Sequence, residues 1–177
     1  LLLPAGRTAH SRFKIPIDLP DYGTCEIKRS TMLSTLIESA DLIIWDEALM
    51  SHRKCFEALD RSFRDVLSAN DPALAELPFG GKVVVLGGDL RQILPVIEGG
   101  SRAQILVAAI TNSPLWNIVD VLHLNINMRL TAHTNDPILQ SEVAAFAKWV
   151  LSLGDGTAAA VAREGESEPS RITIPDE

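Results

Sequence analysis

Leu42-Ile43-Ile44-Trp45-Asp46-Glu47 is the stretch on which the reading of the chain turns. Four apolar residues run without a break and stop on two carboxylates. A short apolar run closed by polar residues predicts a strand buried on both faces, as in a parallel sheet. The same arrangement recurs at Lys82-Val83-Val84-Val85-Leu86-Gly87-Gly88-Asp89, a β-branched run ending in a glycine turn and a carboxylate. Between the two, Phe56, Leu59, Phe63, Val66 and Leu67 recur at helical spacing. Arg53, Lys54, Glu57, Asp60, Arg61, Arg64 and Asp65 fall on the wetter side of that predicted helix.

Working outward, Met32, Leu33, Leu36, Ile37 and Ala40 predict a short amphipathic helix before the first strand. Ser101 is a suitable N-cap for a helix reaching Ile110. Val119-Asp120-Val121-Leu122-His123-Leu124 predicts a third strand, and residues 138–153 a helix carrying Val143, Phe146, Ala147 and Val150. The first 30 residues read mostly as loop. Residues 154–177, small, charged and Pro-containing, read as an exposed linker. Strands alternating with helices predict an α/β fold with a mostly parallel sheet. Chemistry in such sheets gathers at the carboxyl ends of the strands.

Composition narrows the class. A chain of 177 residues, 46% hydrophobic and 22% charged, suits one globular domain with a real core. No apolar run approaches the ~20 residues of a membrane span, so no membrane partner is expected. Leu1-Leu2-Leu3-Pro4 is too short for a signal-peptide core and resembles the cut end of a longer protein. Cys25 and Cys55 form neither metal spacing nor a disulfide framework, which suits a reducing compartment. A net charge of -7 argues against a static nucleic-acid coat, though not against a motor that grips DNA along one groove.

Three strand ends carry the chemistry. Asp46, pushed out at a sheet edge, can hold Mg²⁺ directly or through water, and Glu47 beside it can activate a water that attacks a γ-phosphate. The bland alternative is that Asp46 caps the next helix. In Gly87-Gly88-Asp89-Leu90-Arg91-Gln92 the glycines allow a tight turn and close approach. Arg91 and Gln92 then offer donors to a phosphate oxygen, and Gln92 can register whether that phosphate is present. A structural turn with a solvated Arg-Gln pair is the competing account. Arg129 follows the β-like run Leu124-Asn125-Ile126-Asn127-Met128, where a guanidinium can fork onto phosphate oxygens or form an ordinary surface ion pair. Together the three describe half of a nucleotide hydrolysis site.

The runs LIIWDEALM, GGDLRQILPV and LNINMRL resemble three successive motifs of the petite-integration-frequency (Pif) DNA helicases, closest to the plant-type branch that includes Helitron transposon helicases. GRTAHSRFKIP, HRKCFEALDRSFRDVL and FAKWVLSLGDGT extend the resemblance over roughly residues 1–157. It implies a RecA-like P-loop NTPase fold and an ATP-dependent, Mg²⁺-requiring motor. Such a motor unwinds DNA from 5′ to 3′ in repair, recombination and telomere maintenance. Carried onto matching positions, the resemblance makes Asp46 the Mg²⁺ ligand and Glu47 the residue that activates water. Gln92 becomes a γ-phosphate contact and Arg129 an arginine contributing to hydrolysis. Thr8, His10 and Phe13 fall in the segment that resembles the family's single-strand contact, where rings stack on bases and hydroxyls bond phosphates. Ordinary packing is the alternative for His10 and Phe13.

The departures are equally informative. No G-x-x-x-x-G-K-[ST] phosphate loop occurs in the 177 residues. Gly80-Gly81-Lys82 is no substitute, because it precedes a strand instead of linking strand to helix. The family's second RecA-like lobe is likewise not represented, and Leu49-Met50 stands where the family has a proline after the acidic pair. The expectation is a partial first lobe over residues 1–153, with residues 154–177 as linker or the start of the next region, inactive alone. A non-catalytic, transposon-derived domain that binds single-stranded DNA or a partner is the alternative. The expected partners are ATP and single-stranded DNA or DNA forks, in the nucleus or the mitochondrion.

Overall fold

The computed structural model describes residues 6–130, 137–161, 171–172 and 174. Contacts divide the chain into two compact units, residues 1–120 and 121–177.

In the first unit, helix α1 (Ala9–Phe13) precedes α2 (Met32–Ser39) and strand β1 (Leu42–Trp45). Helix α3 (Arg53–Leu67), strand β2 (Val83–Leu86) and α4 (Arg102–Ala108) follow. Both predicted strands exist, and they pair in parallel with Leu42 opposite Val83 and Trp45 opposite Leu86. Parallel neighbours need a crossover, and α3 supplies it. Its apolar stripe is fully covered, with Phe56, Leu59 and Phe63 at 0% exposure. Aromatic rings knit this layer together: Phe56 lies 4.7 Å from Trp45, and Phe63 meets Phe13 and Phe79 edge-on at 5.8 and 6.4 Å. Such pairs add roughly 0.5–1.5 kcal/mol each beyond the area they bury.

Among the described residues of the first unit, the sheet is covered on one face only. Ile43 and Trp45 are buried, whereas Leu42, Ile44, Val83 and Val85 are 47–60% exposed. The expectation of a strand buried on both faces is therefore corrected. The described residues pack α3 against one side, and the other apolar side stays open.

Two further readings change and one holds. Apart from α1, residues 6–30 are loop and turn, as expected. Thr8 caps α1, and residues 21–29 are strapped along α3 by its polar face. Lys54 pairs with Asp21 at 2.6 Å, Arg61 Nε donates to Gly23 O at 3.0 Å, and Ser62 Oγ accepts from Cys25 N at 2.8 Å. Arg29 closes the strap on Asp65 at 2.6 Å. Asp60, assigned above to the wetter side, is 8% exposed. It accepts from Phe79 N at 2.6 Å and from Arg64 Nε at 2.9 Å, so a buried carboxylate anchors the connection into β2. The third predicted strand does not form: residues 119–127 have no regular structure, and Leu122 and Leu124 are 90% and 101% exposed. Extended backbone becomes a strand only when a neighbour takes up its hydrogen bonds, and the described residues offer none there.

The remaining helices follow their signals. Ser101 and Gln104 form a capping box at the start of α4. In the second unit, α5 spans Pro137–Gly154. Strands β3 (Ala160–Val161) and β4 (Arg171–Ile172) form a short antiparallel pair inside the predicted linker. Cys25 and Cys55 are buried free thiols. Burial pushes the Cys25 thiol up to about 11, partly offset by its hydrogen bond with Ser62, and raises Cys55 as well. Neither behaves as a reactive thiolate. Among the described residues no helix is long and apolar enough to cross a membrane.

Removing the Asp60 carboxylate leaves the Phe79 amide and Arg64 Nε without their acceptor, while Arg64 Nη1 keeps Ala75 O. Asp60→Ala is expected to lower unfolding free energy by about 2–4 kcal/mol. Urea denaturation measures this directly, and a loss below about 1 kcal/mol would contradict the anchoring role.

Candidate nucleotide-site edge

Parallel pairing places the carboxyl ends of β1 and β2 at one edge, and hydrogen bonds carry the register past both strands. Gly87 N donates to Trp45 O at 2.9 Å, and Ala48 N donates to Gly87 O at 2.8 Å. Asp46 and Glu47 therefore leave the sheet beside the turn that leads to Gln92. All three are exposed.

Asp46 does not cap α3. Its Oδ1 accepts from Glu47 N at 3.1 Å, and the cap of α3 is His52, whose Nδ1 accepts from Lys54 N at 3.1 Å. Capping by Nδ1 requires the neutral imidazole. Burial lowers the His52 pKa first, and the Lys54 and Arg53 charges lower it further, which favours that form.

Glu47 sits at φ 50°, ψ 35°, a left-handed conformation that costs a side-chain-bearing residue roughly 1–2 kcal/mol. It opens the 3-10 turn Ala48–Met50. Strain of this kind collects where function requires a backbone direction that packing alone would not choose.

The two glycines are there for close approach. A Cβ on Gly87 would meet Asp46 Oδ1 at 3.0 Å, and one on Gly88 would meet Leu49 Cγ at 2.7 Å. The glycine turn is thus shaped against the acidic motif. Beyond it, Asp89 Oδ1 accepts from Arg91 N at 2.9 Å and from Arg91 Nε at 3.1 Å, while Gln92 N donates to Asp89 O at 3.1 Å. The Arg91 backbone amide, then its side chain, hold the Asp89 carboxyl below its usual range, with the Gln92 side chain contributing.

Lys82 is committed elsewhere. Its Nζ donates to Glu38 O at 2.7 Å and Ala40 O at 2.9 Å, closing the end of α2 at the amino end of β2. Position and partners both separate it from a phosphate-cradling lysine.

Thr8 and His10 are exposed on α1, with Thr8 Oγ1 accepting from Ser11 N at 3.4 Å. Phe13, named with them above as a candidate base-stacking residue, is 8% exposed and packs between Phe63 and Trp45. Its ring belongs to the core, because both aromatic neighbours already occupy it. Arg129 lies in the 3-10 turn Met128–Leu130 of the second unit, and its side chain falls outside the described residues.

A carboxylate pair at a strand end, abutting a glycine turn with Arg and Gln, suits Mg²⁺ and a terminal phosphate. Mg²⁺ takes one or two carboxylates and fills its remaining positions with water and phosphate oxygens. Asp46 has an exposed carboxylate of this kind, and among the described residues no group of three or more acidic, His or Cys side chains forms a self-sufficient metal cage.

The family model of PIF1-like helicases matches residues 1–164. The chain belongs to that family. Bacteroides Pif1 bound to single-stranded DNA is similar over 87% of this chain, at 24% identity and a TM-score of 0.61. Bacteroides Pif1 with ADP-AlF3 and single-stranded DNA is similar over 88%, at 23% identity and a TM-score of 0.65. These likenesses establish the RecA-like α/β fold. In both, this chain spans 34% of the matched chain, about a third of its length. No curated protein matches the chain.

Sequence reasoning named the acidic pair and Gln92 as candidates but missed Asp89 as the centre of its turn. An Asp two residues before the amide it captures is a recognisable Asx-turn pattern. It also missed Glu47's backbone, for which the sequence carries no signal, since a left-handed residue is ordinarily Gly or Asn.

Two outcomes follow. Gly88→Ala is expected to cost about 1–3 kcal/mol through overlap with Leu49 together with its φ of 159°, and a Leu49→Ala background should recover the Cγ and Cδ1 overlap but not the backbone part. Additive losses in the double-mutant cycle would mean that the close approach is not what requires glycine. Separately, Glu47→Gly should be more stable than Glu47→Val by roughly 1–2 kcal/mol, because only glycine accepts the left-handed conformation without strain. Equal urea midpoints would contradict the assigned backbone.

Proposed function

We propose that this chain is part of an ATP-dependent DNA helicase of the plant and Helitron-like Pif branch and contributes one half of its nucleotide-hydrolysis site. The observation that carries the reading is the register-locked edge where Asp46-Glu47 and the Asp89–Gln92 turn emerge side by side, in a chain of the PIF1-like helicase family.

In this reading Asp46 holds Mg²⁺, which when bound neutralises charge on the phosphate oxygens. Glu47 orients and deprotonates the attacking water, a contribution typically worth ~10²–10⁴ in rate. Gln92 contacts the terminal phosphate, and its turn, packed through Gly88 onto Leu49, passes the nucleotide state to the acidic motif. Arg129 adds a guanidinium to the developing charge. Thr8 and His10 contact single-stranded DNA. Phe13 lies 6.3 Å from Trp45, the residue before Asp46, so packing links the proposed DNA segment to the proposed hydrolysis edge. The proposed substrates are single-stranded DNA and forks. The proposed roles are repair, recombination and telomere maintenance, in the nucleus or the mitochondrion.

A helicase needs a phosphate loop and a second lobe in addition to these residues, so the 177-residue chain alone is expected to show no Mg²⁺-dependent ATPase above background. In the protein that joins this edge to those parts, Glu47→Gln is expected to cut ATP turnover by ~10²-fold or more while leaving ATP binding intact. Undiminished turnover in Glu47→Gln would overturn the reading. Single-strand binding with no nucleotide response at all would instead identify a non-catalytic DNA-holding domain.

A further inference from the structure

Asp89 sits at the centre of the turn that carries Arg91 and Gln92, yet the reaction proposed above gives it no task. Its Oδ1 takes both the backbone amide and the Nε of Arg91, at 2.9 and 3.1 Å. Its backbone carbonyl takes Gln92 N. The Asp89 carboxylate therefore engages the Arg91 guanidinium, a donor that a terminal phosphate oxygen would seek at this edge.

The local charge makes that engagement consequential. Arg91 is the one cation between Lys82 and Arg102 in the sequence. Lys82 is spent on the carbonyls of Glu38 and Ala40 at the far end of β2. Arg91 and Asp89 are both partly exposed, with side-chain exposures of 45% and 34%, so an anion from solvent can reach the pair. A partly exposed ion pair is weak enough to exchange partners.

We propose that Asp89 is a positioning residue that stands in for phosphate: its carboxylate neutralises Arg91, beside Gln92 on the same turn, until a terminal phosphate takes its place. The inference rests on reading this edge as the nucleotide site, and it adds the group from which Arg91 must be released. Because the exchange swaps one anion for another around the same donors, the turn has two discrete settings, the requirement for a switch that reports ligand state.

The test uses inorganic tripolyphosphate as the anion and follows the Arg91 Nε–H and the Gln92 side-chain amide by NMR in the intact chain. Asp89→Asn keeps an oxygen to accept from Arg91 N and removes the competing charge. Its resonances should respond at about fivefold lower tripolyphosphate than those of the unaltered chain. Adding Arg91→Gln should abolish that gain. An unchanged or higher midpoint for Asp89→Asn would overturn the proposal and leave Asp89 as a turn-forming residue only. A gain that persists without Arg91 would overturn it as well. Hydrolysis is not read in this experiment, so a failure of the Glu47→Gln prediction and a failure here are separate outcomes.

Discussion

The parallel ladder between β1 and β2 is the constraint from which the candidate site follows. Parallel strands bring like ends together, so whatever follows Trp45 and Leu86 must emerge at the same edge. Two backbone hydrogen bonds beyond the strands, from Gly87 to Trp45 and from Ala48 to Gly87, extend this register into the loops themselves. The acidic pair and the glycine turn are consequently interlocked parts, with Gly87 against Asp46 and Gly88 against Leu49. A register slip of one residue would turn Ile43 and Trp45 away from α3 and take the site apart with the core.

Helix α3 makes that ladder affordable. Its apolar stripe covers one face of the sheet through Trp45 and Phe56, while its polar residues bind the strap at residues 21–29. The strap has little hydrophobic periodicity of its own; its order is borrowed from side chains on another element. Asp60 does the corresponding work at the other end of the helix, receiving the chain as it turns toward β2. The helix is thus a crossover, a floor for the sheet and a spine for two irregular segments.

Much of this was legible in the chain. Apolar runs ending on Asp46-Glu47 and on Gly87-Gly88-Asp89 announced two strands with chemistry at their ends, and helical spacing announced α2, α3 and α5. Where the reading failed or left two accounts open, a partner decided the matter. The run 119–124 has strand-like residues but no neighbouring ladder among the described residues. Phe13 sits in a segment that resembles a DNA contact, yet Phe63 and Trp45 claim its ring. Asp60 falls among charged residues on the helix, yet Phe79 and Arg64 draw it inside.

By itself the sequence determined the element types and the identity of the acidic, glycine and glutamine motifs. Hydrophobic period and turn chemistry are local properties, written within a few residues. Only the tertiary structure decided that the two strand ends share an edge, that Glu47 adopts a left-handed backbone, and that Asp89 gathers Arg91 and Gln92. Those facts depend on which groups meet across space, because a strand's neighbour, a residue's backbone conformation and a carboxylate's choice of donor are settled by packing and not by spacing along the chain.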